Sequence, residues 1–323
     1  MALSKPPRAG LASAHDTGER SPHDPLAGRL GLTVPHEWWP SAHLLKSFEA
    51  AGFSYAQIDA PPASVLRDAR LLTRHAVALN DSLRTTGLRP VLHSPAGLRL
   101  GREGDDRAMD GLISYAAEIG ASQVVYHALA LLDGPASESP LRSEVTALTR
   151  AVPRAEDLNL RIAVENLCPL YPGPEPLSAN PMSLRGLANR LGSDGVALCL
   201  DLGHAHVAAE LRRTSLERLV EPVLDVVSLF HVHDNFGARR GGGPRPALGV
   251  DPLRLDLHLP PGRGTLPWHD VGPLIATHGA PVILEVHPPF RPRAAELRDA
   301  DRGHRCGRAA PVPGPLPTFA VSP

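Results

Sequence analysis

The sequence predicts an α/β fold, a closed (β/α)8 barrel over residues 29–300, on three observations. Eight short apolar runs recur along the chain, stretches with helical periodicity separate them, and acidic and imidazole side chains gather where the runs end. Strands covered on both faces need no polar side and read as continuous apolar runs. Alternation of such strands with helices implies parallel strands joined by right-handed crossovers. Eight units suit closure better than an open doubly wound sheet, and no G-x-G-x-x-G follows the first run to mark a dinucleotide site.

In order, the strands are RLGLTV (29–34), YAQIDA (55–60), PVLHS (90–94), QVVYHA (123–128), RIAVEN (161–166), VALCLDLGH (196–204), VVSLFHVHD (226–234) and PVILEVH (281–287). Helical patterns between them include SAHLLKSFEAAG, the long stretch ASVLRDARLLTRHAVALNDSLRTTG read as one helix, RAMDGLISYAAEIG and SEVTALTRAVPRAEDLN. Gly52, Gly87 and Gly120 stand where these patterns stop, the place a left-handed helix end favours glycine.

The ends differ from this middle. Residues 1–28 and 301–323 read as disordered tails rich in small residues and proline. After Arg291 only AAELRDADR has helical character, so the eighth helix reads as truncated. A barrel normally closes with a full helix there, so the chain is expected to close marginally or to borrow cover from a partner subunit in a homo-oligomer.

Charge and composition exclude several classes. Lys plus Arg number 33 against 34 Asp plus Glu, a formal net charge of −1, so no global positive field draws the chain to nucleic acid. Aromatics make up 4%, which leaves little for stacking bases. No apolar stretch suits a signal peptide or a membrane span, and Cys168, Cys199 and Cys306 share no metal or redox spacing. The expectation is a cytoplasmic protein with reduced thiols, off the membrane.

The strand ends carry the chemistry, because in a barrel they share one mouth. The third run ends in His93, the fourth in His127 and the fifth in Glu165; the sixth brings Asp201 and His204. The seventh brings His231 with His233 and Asp234, the eighth Glu285 and His287, and LDLHLPPGRG between them adds Asp256 and His258. A single strand-end histidine is most often a satisfied polar group. A carboxylate closing an apolar run is harder to dismiss, since burying it unpaired is costly, and Glu165, Asp201 and Glu285 all do so. Converging imidazoles and carboxylates suit Zn²⁺, Mn²⁺ or similar divalent ions, with Mg²⁺ and Co²⁺ also open. Gly203 is expected to let the backbone bend between Asp201 and His204. His233, Asp234, His206 and His287 are expected to orient ligands or to lie nearby on the loops. His36 with Trp38 and Trp39 form a candidate substrate wall, and Arg239, Arg240 and Gly241 to Gly243 a candidate phosphate loop. An ordinary packed or solvated loop is the alternative for each.

Taken in order, VEN, LDLGHA, HVHDN, the D-x-H-x-x-x-G-x-G stretch from Asp256, and LEVH resemble the xylose isomerase-like TIM barrel superfamily over roughly residues 29–290. That superfamily holds sugar phosphate isomerases/epimerases and endonuclease IV-type nucleases. In its sugar enzymes a Glu, an Asp, a His and a second Glu hold the metal, which here implies Glu165, Asp201, His231 and Glu285, with Glu165 and Glu285 as acid and base. In the nuclease branch the resemblance implies three ions on nine ligands: His93, His127, Glu165, Asp201, His204, His231, Asp256, His258 and Glu285. NLCPLYPG after Glu165 departs from the nucleases, and LDLGHAHVA is closer to the sugar enzymes.

The resemblance therefore implies a metal-dependent sugar or sugar-phosphate isomerase/epimerase working by proton transfer through an enediolate, with a small-molecule sugar as partner. The alternative is a multi-metal phosphodiester hydrolase of abasic DNA or a small molecule. A degenerate barrel acting as a binding module is the third class.

Overall fold

The computed structural model describes residues 25–34, 40–131, 135–169, 173–192, 194–238 and 255–287. Eight parallel strands close into a barrel in sequence order: β1 (Leu30–Thr33), β2 (Tyr55–Asp59), β3 (Arg89–His93), β4 (Gln123–Tyr126), β5 (Arg161–Glu165), β6 (Val196–Asp201), β7 (Val227–Val232) and β8 (Val282–Leu284). Seven lie wholly within a run read from the sequence, and β3 begins one residue before its run. Closure is made by β1, which pairs β2 on one side and β8 on the other.

Nine α-helices are described: α1 (Ala42–Ala50), α2 (Ala63–Leu66), α3 (Ala69–Leu83), α4 (Glu103–Glu118), α5 (Glu138–Asp157), α6 (Pro181–Leu191), α7 (Leu202–Arg212), α8 (Leu216–Val220) and α9 (Trp268–His278). Local chemistry sets their starts: Ser41, Asp68, Asn180 and Ser215 each accept a backbone N–H of the first turn. Asp68 corrects the sequence expectation of one helix over 63–87. Its carboxylate takes the N–H groups of Arg70 and Leu71, which ends α2 and starts α3. Gly52 and Gly120 have φ of 86° and 72°, as the helix-end reading expects. Gly87 does not; it lies past the end of α3, and its N–H donates to the Glu49 carboxylate at 2.7 Å.

Two layers of inward side chains fill the barrel. The lower is an apolar plug of Tyr55, Val91, Val125, Ala163, Cys199, Leu229 and Ile283. Gly31 completes it, because a Cβ there would collide with Ile283 and Tyr55. Strand side chains alternate with period two, so the next inward position on every strand is two residues on. Those positions are Thr33, Gln57, His93, His127, Glu165, Asp201, His231 and Glu285, and all are polar. The site is thus the top layer of the barrel's own packing, and the plug beneath it keeps solvent out from below.

No helix among the described residues is long and apolar enough to cross a membrane. Cys199 is a free, buried thiol. Residues 25–28, read from the sequence as part of a disordered tail, instead form a turn with Leu26 buried in the core; residues 1–24, the C-terminal tail, the truncated eighth helix, Cys306, the His36 to Trp39 segment and the Arg239 to Gly243 loop lie outside the described residues.

Candidate metal centre

All nine sequence-derived candidates meet at the barrel mouth, in three groups whose donor atoms lie within 4.8 Å of one another. Glu165, Asp201, His231 and Glu285 form the central group, His93, His127 and Glu165 one flank, and His204, Asp256 and His258 with His233 the other. Glu165 is shared by the central group, the first flank and a further set with Cys199 and His231: one oxygen lies 3.1 Å from His231 Nδ1, the other 3.3 Å from His93 Nε2 and 3.2 Å from His127 Nε2.

Asp201 shows how the backbone aims a donor. It closes β6 and caps α7, its Oδ1 accepting the His204 N–H at 2.7 Å. Asn166, the residue after β5, clamps it: the amide oxygen accepts the Asp201 N–H at 2.8 Å and the amide nitrogen donates to the Asp201 carbonyl at 2.9 Å. Oδ2 is left buried with no hydrogen-bond partner. A carboxylate oxygen held this way is costly unless something positive meets it. The Asn166 carbonyl oxygen also lies 2.8 Å from His204 Nδ1, which turns Nε2 toward Asp256 at 3.5 Å.

The second flank rides on the loop after β7, and Asp234 builds that loop. Fully buried, it accepts the N–H groups of Asn235, Gly262 and Leu266 and the Trp268 indole N–H, at 2.8–3.1 Å. Leu259 pairs with Asp234 as an antiparallel bridge. A side chain on Gly264 would strike the Asp234 carboxylate and the Asn235 carbonyl, which accounts for the second glycine of the motif. His258, at φ 49°, lies 2.7 Å through Nδ1 from the Glu285 carbonyl oxygen, and 3.0 Å through Nε2 from Asp256 Oδ2. On the first flank, the Tyr126 hydroxyl donates to the buried Glu144 and accepts the Leu100 N–H, while Leu129 N–H also donates to Glu144. That network ties the chain either side of His127 to the loop after β3.

Electrostatics follow from burial. Burial works against the charge of Glu165, yet His231 and His127 hold its carboxyl well below the usual range. Asp201 is lowered against burial by His204 and His233, and Asp256 well below its usual value by His258 and His204. Burial opposes protonation of His93 and His258 as well, but Glu165 lifts the first and Asp256 the second to about 9. Imidazolium protons therefore serve as the counter-charge to a cluster of buried carboxylates. A divalent cation is the natural replacement, and its binding would release those protons. Donor set, the unsatisfied Asp201 oxygen and charge balance all fit a metal.

Three features depart from the sequence expectations. His233, expected only to orient a ligand or to lie nearby, stands with its Nε2 3.1 Å from Asp201 Oδ1 and its ring stacked on His258 at 3.8 Å. Gly203 is no hinge: it lies within α7, and its missing side chain is the space that the His233 ring fills. Gln57 and Thr33 escape the sequence reading outright. The Gln57 amide reaches both His231, at 2.7 Å, and Glu285, and Thr33 Oγ1 lies 3.5 Å from Glu285. A signal for them exists, since both stand two residues beyond a plug residue. Of the other residues expected to orient ligands or to lie nearby, His287 stacks on His258, while His206 Nδ1 pairs with Asn235 Oδ1 at 2.9 Å, not with a candidate ligand, and the Asp234 carboxylate holds the loop.

Comparison with known proteins agrees with this fold. The chain matches the xylose isomerase-like TIM barrel family over residues 45–303. No curated protein matches it. Among solved structures, a D-tagatose 3-epimerase-like protein superposes with a TM-score of 0.63 at 17% identity, covering 85% of this chain and 96% of its own. The 3-keto-D-glucoside 4-epimerase of E. coli gives 0.59 at 15% identity, covering 86% and 99%. A protein from Thermus thermophilus, soaked with ZnCl₂, gives 0.57 at 20% identity, covering 84% and 97%. At such identities the likeness is one of fold, and the family match carries the assignment: the chain belongs to the xylose isomerase-like TIM barrel family.

Proposed function

We propose that the chain is a metal-dependent sugar or sugar-phosphate isomerase/epimerase that moves a proton at a carbon next to a carbonyl, through an enediolate. The observation that carries this reading is the central group, in which Glu165, Asp201 and His231 from β5, β6 and β7 and Glu285 at the end of β8 bring one donor atom each within 4.8 Å of one another. Its oxygen-rich character suits Mn²⁺, and the imidazole-rich flanks suit Zn²⁺, with Mg²⁺ or Co²⁺ as substitutes. When bound, the ion would polarise the sugar's carbonyl and hydroxyl oxygens.

The protein residues supply the rest. Glu165 and Glu285 present carboxylates from two directions to a carbon between them, the arrangement in which one removes a proton and the other returns it. Asp201, clamped by Asn166 and capping α7, is fixed and acts as a holder only. The plug below and the flanking imidazoles above limit water, which protects the intermediate from leakage. The epimerases named among the structural neighbours act on ketoses or keto-sugars by their titles, in keeping with this chemistry.

A multi-metal phosphodiester hydrolase is the second reading, favoured by one observation: both flanking groups retain complete ligand sets, which proton transfer does not require. Incubation of the Mn²⁺-loaded protein with ketohexoses and keto-sugars in D₂O separates the two. Deuterium at the carbon beside the carbonyl supports the isomerase. Absence of exchange in every sugar, with hydrolysis of bis(p-nitrophenyl) phosphate lost in Asp256→Ala, overturns it in favour of the hydrolase.

A further inference from the structure

We infer that Gln57 is the positioning residue of the central group, ordering His231 and Glu285 at once; this rests on the metal-dependent reading above. Gln57 is fully buried on β2, an element that contributes no ligand. Its amide orientation is set by chemistry. A carboxylate only accepts, so the amide nitrogen faces Glu285 Oε1 and, at 3.3 Å, Thr33 Oγ1, while the amide oxygen takes the His231 Nε2–H at 2.7 Å. Two consequences follow.

His231 carries a proton on Nε2, so Nδ1 is the atom presented to the group, 3.1 Å from Glu165 Oε1 and 3.4 Å from Glu285 Oε1. Glu285 has its oxygens made unequal. Oε1 is fixed by Gln57 beside His231, and Oε2 lies 3.9 Å from a His258 Nδ1 that lies 2.7 Å from the Glu285 carbonyl oxygen. Oε2 is therefore the oxygen left to exchange a proton with substrate. No other described side chain contacts both ligands by hydrogen bonds to each, and a residue that acts through two ligands should act strongly on ion affinity.

The test uses the full chain and Mn²⁺ alone, with free ion counted by electron paramagnetic resonance, for wild type, Gln57→Met and Gln57→Glu. Methionine keeps the volume and removes both bonds; glutamate keeps the acceptor for His231 and, sharing a proton with the adjoining Glu285 carboxylate, an O–H donor toward it. Gln57→Met is expected to weaken the tightest Mn²⁺ site about 10- to 100-fold, and Gln57→Glu to stay within about threefold of wild type. Wild-type affinity in Gln57→Met, or equal loss in both variants, overturns the inference. If Gln57→Met does not fold, Gln57→Leu, which also removes both bonds, decides: a tenfold loss supports the inference and wild-type affinity overturns it. Failure of sugar exchange with this Mn²⁺ pattern intact sinks the isomerase reading alone.

Discussion

Asp234→Asn is the substitution whose effect the structure sizes most clearly. The carboxylate is fully buried and meets four N–H donors, with Asn235 and Leu266 on Oδ1 and Gly262 and the Trp268 indole on Oδ2. Asparagine keeps one acceptor oxygen. Its amide nitrogen then faces two N–H groups that have no other acceptor at hand, a donor against donors in a dry site. Each buried polar group left unsatisfied costs about 1–3 kcal/mol, so for two the loss is about 2–6 kcal/mol, less whatever the loop recovers by shifting. That is a large share of a typical stability of about 5–15 kcal/mol. Urea unfolding in the presence of EDTA measures it free of metal linkage, with an unchanged m-value expected. A loss below about 1 kcal/mol would refute the claim that Asp234 holds the loop bearing Asp256 and His258.

Two further expectations concern packing and pH. Gly203→Ala should destabilise by about 1–3 kcal/mol because its Cβ enters the His233 ring; in a His233→Ala background the same change should stabilise by about 0.5–1 kcal/mol, the ordinary helix gain, and urea unfolding of the four variants reads both. His75, buried against the Tyr115 hydroxyl at 2.7 Å, has its pKa lowered by burial. The unfolded chain therefore takes up this proton first as pH falls through about 6.5, and stability drops below that pH by at most about 1.4 kcal/mol per unit. Unfolding of His75→Gln between pH 7.5 and 5.5 should show a shallower decline than wild type, and parallel curves would contradict the assignment.

Much of this architecture is legible in the sequence because strands buried on both faces announce themselves as apolar runs. All eight lie where those runs lie, and the carboxylates that end them lie in the mouth. What is not legible depends on three-dimensional neighbours. Gln57 sits inside YAQIDA between Ala56 and Ile58, and nothing local marks which alternate set of the run turns inward; the register of the plug, which holds Tyr55, decides it. Gly203 looks like a hinge because its real reason, the His233 ring, comes from another strand. Asp68 is hidden in a stretch with unbroken helical periodicity, where a cap competes locally with the helix and wins.

The account turns on whether the central group holds a cation. Metal analysis of the full chain after dialysis, with proton release followed during Mn²⁺ or Zn²⁺ titration, tests it in wild type and Asp201→Ala. The expected result is at least one bound divalent ion with net proton release in wild type, and loss of the tightest site in Asp201→Ala. Retention of that site at wild-type affinity in Asp201→Ala would contradict it.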